Sequence, residues 1–441
     1  MRRLSLLWPA TCLMLIILTL YVHRVEFVQI RRPNIPQTHQ KGSTQSSTSV
    51  AGPSPTATAT QHEILPQATR EAYVNAIMNP DVEDLPRLQC PKLDADRYKH
   101  LQVDPKNSSD STIQYFFALD LRQCLPLLPR LIGSVVEAIR FLGPAHCALS
   151  IVEGNSDDGT GEVLAALQPV LSSLGTTYYF RRSSIDPKKG DRISQLAQLR
   201  NLAIQPLLDS ASSNSPDKFT PADTSIIFLN DVAICAEDVL ELVHQRAHLG
   251  ADMVCAMDWT YVGRDPTFYD VWVARTINGD SFFEIPPDGN WNSAWNLFWD
   301  AAETQQRFYA HKPFQVFACW NGAVVFGATP VLEKGVRFRT NRKGKDGECP
   351  QGEPQLFCKD LWFHGHGRIA VVPTVNLEYS DEAGRKIKEA KGYTSRWVGA
   401  PEWKDEGIEW KKDPPEKVKC IPAYENQFFE AWNKSQPGTE G

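Results

Sequence analysis

The sequence lacks the two glycine-rich motifs that mark the commonest nucleotide-binding folds. It contains neither a GxGxxG dinucleotide motif nor a GxxxxGK[ST] phosphate loop, which argues against dehydrogenases and P-loop nucleotide hydrolases. No CxxC pair or cysteine–histidine cluster has the spacing of a zinc site. An excess of basic charge is also absent, because the formal net charge is −6 and the pI is near 6.0. We therefore expect no nucleic-acid partner.

The amino terminus begins with a long segment that has no charged side chain. Arg2 and Arg3 precede this segment, which covers residues 4–22. Its length is close to that of a membrane-spanning helix and exceeds that of a usual signal-peptide core, and no small-residue cleavage site follows directly. Residues 1–32 are thus predicted to be a cytosolic tail and transmembrane signal anchor, with a cleaved signal peptide as the alternative.

A segment rich in serine, threonine and proline follows the predicted anchor. Residues 33–67 carry little apolar surface to bury, so this segment is predicted to be a flexible stem. An anchor, a stem and a globular domain in this order are typical of type II enzymes of the Golgi or ER membrane, and also of surface receptors. Nine of the ten cysteines lie beyond the anchor, and an odd number requires a free or intermolecular cysteine. Asn107 and Asn433 begin glycosylation sequons.

Strand-like and helix-like segments alternate along the donor half, about residues 113–257. The predicted strands are Gln114–Leu119, Cys147–Glu153, Thr177–Phe180, Ile226–Leu229 and Met253–Met257, and the predicted helices are 126–142, 159–174, 193–208 and 236–249. This alternation predicts an α/β fold with a parallel, doubly wound sheet. An aromatic, less regular acceptor half, about 258–380, completes a single domain over 68–380. Residues 381–441 form a charged C-terminal extension that we expect to pack on it.

Polar residues directly follow the predicted strand Ile226–Leu229. Asn230 and Asp231 would emerge at the carboxyl end of that strand, where ligands of α/β sheets bind. An oxygen of Asp231 could hold a hard divalent cation, and the cation could hold a diphosphate. The alternative is that Asn230 and Asp231 turn the chain or cap the next helix.

Two further groups of polar residues suit a nucleotide. Glu153 ends a predicted strand and could accept a hydrogen bond from a base or a ribose. Asp157 and Asp158 occupy the polar turn that follows, where capping of the next helix is the alternative. Arg192 and Arg200 are eight residues apart on a predicted helix and could contact a diphosphate. A solvated basic helix face is the alternative for these two arginines.

Candidate residues of the acceptor half are an acid and several aromatic side chains. Asp258 follows the strand predicted over Met253–Met257 and is either a catalytic base or a plain acid at a strand end. Trp272, Trp291 and Trp320 could stack on sugar rings, although each of these rings is more simply explained as part of the core.

Several segments together resemble a known family. VEGNSDDGT, RISQLAQLRNLAI and FLNDV resemble the donor-binding half of a GT-A glycosyltransferase. With LPRLIGSVVEAIRFLG, FACWNGAVVFGATP and LFCKDLWFHGHGRIAVVPTVNLEYS, they resemble the fungal capsule-associated (cryptococcal) α-1,3-mannosyltransferase family over about residues 70–380. The resemblance implies a GT-A-like, Rossmann-type sheet that binds a nucleotide sugar. It also implies a type II membrane enzyme that transfers mannose from GDP-mannose to a glycan acceptor, a polysaccharide or a glycoconjugate. Such an enzyme retains the α configuration and uses a divalent cation, Mn²⁺ or Mg²⁺.

The resemblance assigns roles to the donor-half residues. Asp231, with Asn230 before it, occupies the place of the metal-binding Asp-x-Asp motif, and has one carboxylate where the usual pattern has two. Glu153 falls at the acid that binds the nucleoside. Arg192 and Arg200 fall near the donor phosphates.

The resemblance also places an acidic residue on the acceptor side. Glu353 falls where GT-A enzymes have an acid that faces the acceptor, and Pro354 stands where we expect a cysteine in the family. A retaining transfer by front-face attack needs no protein base; an inverting transfer would use Asp258 or Glu353. A transferase with another nucleotide sugar and an inactive, glycan-binding relative are the alternative functions.

Overall fold

The computed structural model describes residues 65–103, 112–212, 218–220, 222, 224–342 and 347–434. The predicted signal anchor and nearly all of the predicted stem lie outside these residues. Among the residues described, no helix is both long and apolar enough to cross a membrane. The described residues divide into two compact units, and the first contains all of them except residues 261–265. The candidate site belongs to the first unit.

The strands of the described chain are named here in sequence order. They are β1 Thr112–Ile113, β2 Tyr115–Leu121, β3 Cys147–Glu153, β4 Thr177–Arg182, β5 Lys218–Phe219, β6 Ser225–Leu229, β7 Met253–Val262, β8 Asp265–Phe268, β9 Arg275–Thr276, β10 Phe314–Ala318, β11 Ala323–Gly327, β12 Ile369–Leu377, β13 Lys417–Cys420 and β14 Phe428–Ala431.

The α-helices of the described chain are named in the same way. They are α1 Gln67–Met78, α2 Ala95–Tyr98, α3 Leu128–Leu142, α4 Thr160–Ala166, α5 Gln168–Leu174, α6 Arg192–Ser212, α7 Ala236–Leu249, α8 Ala302–Tyr309, α9 Thr329–Leu332, α10 Glu353–Phe363, α11 Asp381–Lys391 and α12 Thr394–Val398. Short 3₁₀ helices cover Lys99–Leu101, Leu125–Leu127 and Pro144–His146.

One extended sheet contains the strands of both halves, in the order β4–β3–β2–β6–β11–β7–β12–β10–β9. The strands β4, β3, β2 and β6 are mutually parallel, as the alternation of strands and helices predicts. The fifth predicted strand, β7, runs in the same direction, but β11 of the acceptor half lies antiparallel between β6 and β7. An apolar run specifies a buried strand but not its direction, so the pattern of Ala323–Gly327 could not show this reversal.

Helices cover both faces of the parallel half. Odd-numbered residues of β2, from Tyr115 to Leu121, share one apolar cluster with α3 and α7. On the opposite face α6 packs against β2 and β3. Because both faces are covered, every residue of β3 and β6 is buried.

The helix predicted over 159–174 is two helices in the structure. α4 ends at Ala166, and α5 begins at Gln168 with Pro169 in its first turn. Proline has no N–H to donate to the preceding turn, so it fits best in the first turn of a new helix. The continuous apolar spacing of this segment concealed the break.

The carboxyl-terminal residues pack on the same unit as the sheet. Lys388 of α11 forms a buried ion pair of 2.6 Å with Asp238 of α7. Disulfides add further links between distant segments, and they are Cys90–Cys235, Cys255–Cys319 and Cys349–Cys420. Free cysteines of the described chain, all buried, are Cys124, Cys147 and Cys358.

Candidate active site

The candidate site begins at the carboxyl ends of β2 and β6. These parallel strands place Leu119 opposite Leu229, and both leucines point into the apolar cluster. Successive side chains of a strand alternate between faces, so Asp120 and Asn230 project from the other face. That face is covered by α6, which brings Arg200 to the same place.

Arg200 is the buried cation at the centre of the site. Its Nε donates to Glu353 Oε1 at 2.8 Å, and its Nη1 donates to Asn230 Oδ1 at 3.4 Å. The indole Nε1 of Trp320 also donates to Asn230 Oδ1, at 3.0 Å, and the guanidinium lies 4.7 Å from the centre of the Trp320 ring. Two residues predicted from opposite halves of the chain, Arg200 and Glu353, are therefore one ion pair.

Trp320 is a core residue and not a sugar-stacking one. It is only 1% exposed, and it packs edge-on against Phe228. The turn that follows it requires left-handed backbone at Asn321 (φ 53°) and Gly322 (φ 82°). A Cβ atom at Gly322 would lie 3.1 Å from a methyl carbon of Val232, which makes glycine the fitting residue there.

Two carboxylates lie near the positive charge of Arg200. Burial raises the pKa of Asp120 to about 6, although Arg200 opposes that shift. Burial also raises the pKa of Asp231, which is partly exposed just beyond β6. Burial would lower the pKa of Arg200, yet Asp120 and Glu353 outweigh it and raise that pKa. Within the described chain no side-chain hydrogen bond or ion pair joins Asp231 to another residue, so its carboxylate can accept a ligand.

Glu153, the predicted nucleoside-binding acid, is the last residue of β3. It is buried, and its Oε1 accepts a hydrogen bond from the Ser156 N–H at 2.6 Å. A Cβ atom at Gly161 would lie 3.0 Å from Glu153 Oε2, so glycine allows α4 to begin close to this carboxylate. Glu153 therefore lies where the end of a parallel strand meets the start of a helix.

The two neighbouring aspartates have different contacts. Asp158 accepts from the Leu125 N–H and the Thr160 N–H, each at 3.0 Å, and thereby fixes the turn before α4. Asp157 accepts a hydrogen bond from the side-chain amide of Gln123. The alternative that one of these aspartates caps α4 is wrong, because the N-cap residue is Gly159 and no side chain caps the helix. Asp158 instead fixes the turn before α4, and Asp157 tethers a neighbouring loop.

The predicted basic pair is divided between surface and core. Arg192 begins α6 and is exposed, whereas Arg200, two turns later, is 7% exposed. Arg192 lies within electrostatic range of the Tyr269 hydroxyl. Lys188 and Lys189, in the loop before α6, are exposed as well. Solvent, and hence a phosphate, can reach these three cations.

Asp258 lies within β7 and not at a strand end, because β7 continues to Val262. It is 0% exposed, and its Oδ2 accepts a hydrogen bond of 2.6 Å from the Tyr379 hydroxyl. Its Oδ1 has no hydrogen-bond partner among the residues that the structure describes. Burial, with Asp270 as a second cause, raises the pKa of Asp258. The Asn321 N–H donates to Asp270 Oδ2 at 3.2 Å and links this group to the turn after Trp320.

Glu153 and Asp231 lie at the ends of strands on either side of β2, because β2 pairs with both β3 and β6. Burial raises the pKa of the Cys124 thiol, and the charges of Asp231, Asp158 and Glu153 raise it further. The structure thus brings Glu153, Asn230, Asp231, Arg200 and Glu353 to one edge of the sheet. Asp258 lies beside this group with Tyr379 and Asp270.

Sequence reasoning missed three of these polar residues. Asp120 follows the predicted strand Gln114–Leu119 just as Asp231 follows Ile226–Leu229, so the same rule could have found it. Asp270 and Tyr379 follow β8 and β12 and reach the site through tertiary packing. No local signal in the sequence marks them.

The implied divalent cation fits a site that is shared with the substrate. In the part of the chain that the structure covers, no three His, Cys, Asp or Glu side chains form a ready-made metal site. Divalent cations of nucleotide sites often use one or two carboxylates and take their remaining ligands from phosphates and water. The partner-free carboxylate of Asp231 suits that arrangement.

Solved structures of nucleotide-sugar enzymes show a distant similarity. The mannosyltransferase PcManGT from Pyrobaculum calidifontis, in complex with GDP-Man and Mn²⁺, is 11% identical, with a TM-score of 0.35; 71% of this chain and 67% of that chain are covered. TarS 1–349 of S. aureus, in complex with UDP, is 12% identical with a TM-score of 0.34. The match covers 60% of this chain, which in turn spans 60% of the TarS chain.

Sequence comparisons are more specific. The family model described as Cryptococcal mannosyltransferase 1 matches residues 114–360. The alpha-1,3-mannosyltransferase CMT1 of Cryptococcus neoformans var. neoformans serotype D is 36% identical over 322 residues, which are 70% of this chain and 68% of that protein. The resemblance inferred from the sequence is confirmed: this chain belongs to the cryptococcal mannosyltransferase family and is a glycosyltransferase.

Proposed function

We propose that this enzyme has a GT-A-type fold and transfers mannose from GDP-mannose to a mannose-containing glycan, with retention of configuration and an α-1,3 linkage. The observation that carries the proposal is the convergence of Asn230, Asp231 and the Arg200–Glu353 pair at the carboxyl ends of β2 and β6. The name of the 36% identical relative supports the transferred sugar and the linkage.

The donor would lie along the edge formed by β3, β2 and β6. Glu153 would bind the nucleoside, next to the turn that Asp158 fixes. The exposed Arg192, with Lys188 and Lys189, would contact the diphosphate, because guanidinium and ammonium groups pair strongly with phosphate. Arg200 is buried and would position Glu353 and Asn230 through its hydrogen bonds to both.

Asp231 would hold the divalent cation, Mn²⁺ or Mg²⁺, together with the donor diphosphate. When bound, the cation would neutralise the charge that develops on the leaving diphosphate. Asn230 Oδ1 is already engaged by Arg200 and Trp320, so Asp231 supplies the free oxygen ligand. Burial raises the pKa of Asp231, and a cation would need its ionised carboxylate, so cation binding should weaken as the pH falls.

Burial of both candidate bases favours retention over inversion. An inverting transfer needs a base within hydrogen-bond reach of the acceptor hydroxyl. Asp258 is 0% exposed and Glu353 is 2% exposed, and Glu353 is already paired with Arg200. A front-face transfer, in which the leaving phosphate accepts the proton of the acceptor, places no such demand on either carboxylate.

The proposed location is the lumen of the Golgi or ER. The uncharged segment at residues 4–22 would anchor the enzyme in the membrane as a type II protein. Three disulfides in the described chain suit the oxidising interior of the secretory pathway.

The donor assignment can be tested with a panel of nucleotide sugars. The full chain in detergent, with Mn²⁺ and methyl α-mannoside, would receive GDP-mannose, UDP-glucose, UDP-galactose or UDP-N-acetylglucosamine in turn. We expect transfer from GDP-mannose, with an α-linked product by NMR. Transfer from a UDP-sugar alone would overturn the mannose assignment, and a β-linked product would overturn retention. Glycan binding without transfer from any donor would identify an inactive relative.

A further inference from the structure

We propose that Tyr269 and Trp272 bind successive sugar units of an extended acceptor, so that the enzyme recognises a hexose chain rather than a single terminal sugar. This inference rests on the proposed function and specifies the class of acceptor. The two side chains are 48% and 42% exposed, although neighbouring Val271 is 2% exposed. Large aromatic rings left in solvent beside a site are candidates for ligand contacts.

The segment that carries both rings is a tight turn directly after β8. The Val271 N–H donates to Tyr269 O at 2.8 Å, and the Ala274 N–H donates to Asp270 O at 3.1 Å. Three residues of chain span at most about 10 Å. The backbone positions that carry the two rings are therefore at most about 10 Å apart, a separation that adjoining units of one sugar chain can span.

This turn is anchored in the candidate active site. The Tyr269 N–H donates to the backbone oxygen of Asp258 at 3.1 Å, and the Tyr269 ring lies 5.1 Å from the ring of Tyr379. Tyr379 in turn donates to the Asp258 side chain. Burial raises the pKa of the Tyr269 hydroxyl, and the positive charge of Arg192, in the proposed donor site, opposes that rise. Tyr269 thus lies where donor and acceptor would meet, and Trp272 lies further along the chain.

Trp272 is held from behind. Its indole stacks on the Tyr424 ring, with 5.2 Å between centroids and 18° between planes. Gly289 backs this tyrosine so closely that a Cβ atom there would lie 2.5 Å from Tyr424 Cδ2. One face of the indole is covered by Tyr424, and its exposed remainder is available to a ligand. A ring that is already ordered loses little conformational entropy on binding.

Exposed polar residues adjoin, in the sequence, the residues that lie behind Trp272, and they favour a sugar chain over a protein partner. Asp288 is exposed next to Gly289, and Glu425 and Asn426 are exposed next to Tyr424. The cores of protein interfaces are depleted of such charges. A hexose presents an apolar ring face and a rim of hydroxyls, which matches rings interleaved with hydrogen-bonding groups.

Acceptor binding without donor tests this surface independently of transfer. The full chain in detergent would be titrated calorimetrically with methyl α-mannoside and with α-1,3-mannotriose. We expect the wild type to bind the triose about five- to tenfold more tightly than the monosaccharide. Trp272→Ala should lose most of this preference and Trp272→Phe should keep most of it, because phenylalanine preserves an aromatic face. Trp295→Ala, which removes a ring that is 76% exposed on another segment, is the matched control and should behave as the wild type.

The results separate this inference from the proposed function. Equal affinity of the wild type for both ligands, or an unchanged preference in a folded Trp272→Ala variant, would overturn the extended surface. If Trp272→Ala does not fold, Trp272→Phe and Trp295→Ala are compared instead. Loss of the preference for the triose in Trp272→Phe alone would show that phenylalanine cannot replace the indole. Equal affinity of the wild type for the two ligands would still overturn the proposed acceptor surface. If the wild type prefers the triose but transfers nothing from GDP-mannose, the donor assignment is refuted and the acceptor surface is not. In transfer assays we expect Trp272→Ala to raise the KM for the triose, with kcat little changed.

Discussion

Arg200 is a buried cation whose partners come from three distant parts of the chain. Glu353 at the start of α10 pairs with it, Asn230 after β6 accepts from it, and Trp320 packs against it. A buried charge that loses its partner carries an uncompensated desolvation cost. The pair therefore matters to folding as much as to catalysis.

Replacement of Arg200 tests this structural role. Arg200→Ala leaves Glu353 buried without its cation, and we expect the free energy of unfolding to fall by about 3–5 kcal/mol. Arg192→Ala is the control on the same helix. Because Arg192 is exposed, its loss should leave stability nearly unchanged and weaken GDP binding by about tenfold. Equal destabilisation by both substitutions, measured in urea, would contradict the assigned roles.

For individual residues, the sequence reveals acids at the ends of strands but does not reveal residues that tertiary contacts bring to the site. Glu153 and Asp231 could be found because parallel strands bring their carboxyl ends to one edge. Asp258 could be singled out, but its burial within β7 could not, since the pattern ended the strand at Met257. The partnership of Arg200 with Glu353 spans 153 positions and has no local signature.

Among the elements, α7 contains an acid whose protonation affects stability. Burial, with Asp238 and Glu241 as further causes, raises the pKa of Glu237 to about 7. A glutamate in the unfolded chain titrates near about 4.3. Since the folded pKa is the higher one, the stability that Glu237 contributes is fully present below about pH 4.3 and is lost as the pH rises through about 7.

Glu237→Gln should remove this pH dependence. Near about pH 4 the variant and the wild type should unfold with similar free energies, and near about pH 8 the variant should be more stable by up to about 3 kcal/mol. Denaturant unfolding across this range measures the difference. Glu402→Gln alters an exposed residue and should follow the wild type throughout. A difference between Glu237→Gln and wild type that does not grow with pH would show that the acid is not protonated by burial.

Element types could be predicted from periodicity more reliably than element ends and directions. The strand Cys147–Glu153 and the helix 236–249 agree with the structure residue for residue. Pro169 divides one predicted helix, and β11, a strand whose direction was not predicted, lies antiparallel between two of the predicted parallel strands. Apolar spacing carries no information about direction, which long-range connections decide.

On the scale of the whole molecule, one of the three disulfides in the described chain connects the acceptor half to the carboxyl-terminal residues. Cys349, four residues before Glu353, lies in the loop before α10, and its disulfide joins this loop to Cys420 of β13. A cross-link that closes such a loop restricts the unfolded chain. The carboxyl-terminal segment thereby helps to fix the start of α10.

Removal of this cross-link should destabilise the protein. We expect Cys349→Ser with Cys420→Ser to lower the free energy of unfolding by about 2–5 kcal/mol. Mass spectrometry of unreduced, alkylated wild type provides the control: of the cysteines in the described chain, Cys124, Cys147 and Cys358 should react after denaturation. Alkylation of Cys349 or Cys420 in the unreduced wild type would contradict the pairing.

The family and the α/β class could be predicted because they depend on collinear motifs and on the alternation of strands and helices. The resemblance covered about residues 70–380, and the family model matches residues 114–360. The arrangement of the acceptor half was not predictable in the same way, since its loops are positioned by contacts between distant residues such as Trp272 and Tyr424.

The central claim, that Asp231 holds a divalent cation shared with the donor diphosphate, is tested most directly by GDP binding with and without Mn²⁺. Calorimetric titration of the wild type should show affinity for GDP at least about tenfold higher with Mn²⁺ than with a chelator. Asp231→Asn, which keeps the side-chain shape but removes the charge, should bind GDP with little effect of Mn²⁺ and remain folded. An equal Mn²⁺ enhancement in wild type and Asp231→Asn would contradict the account.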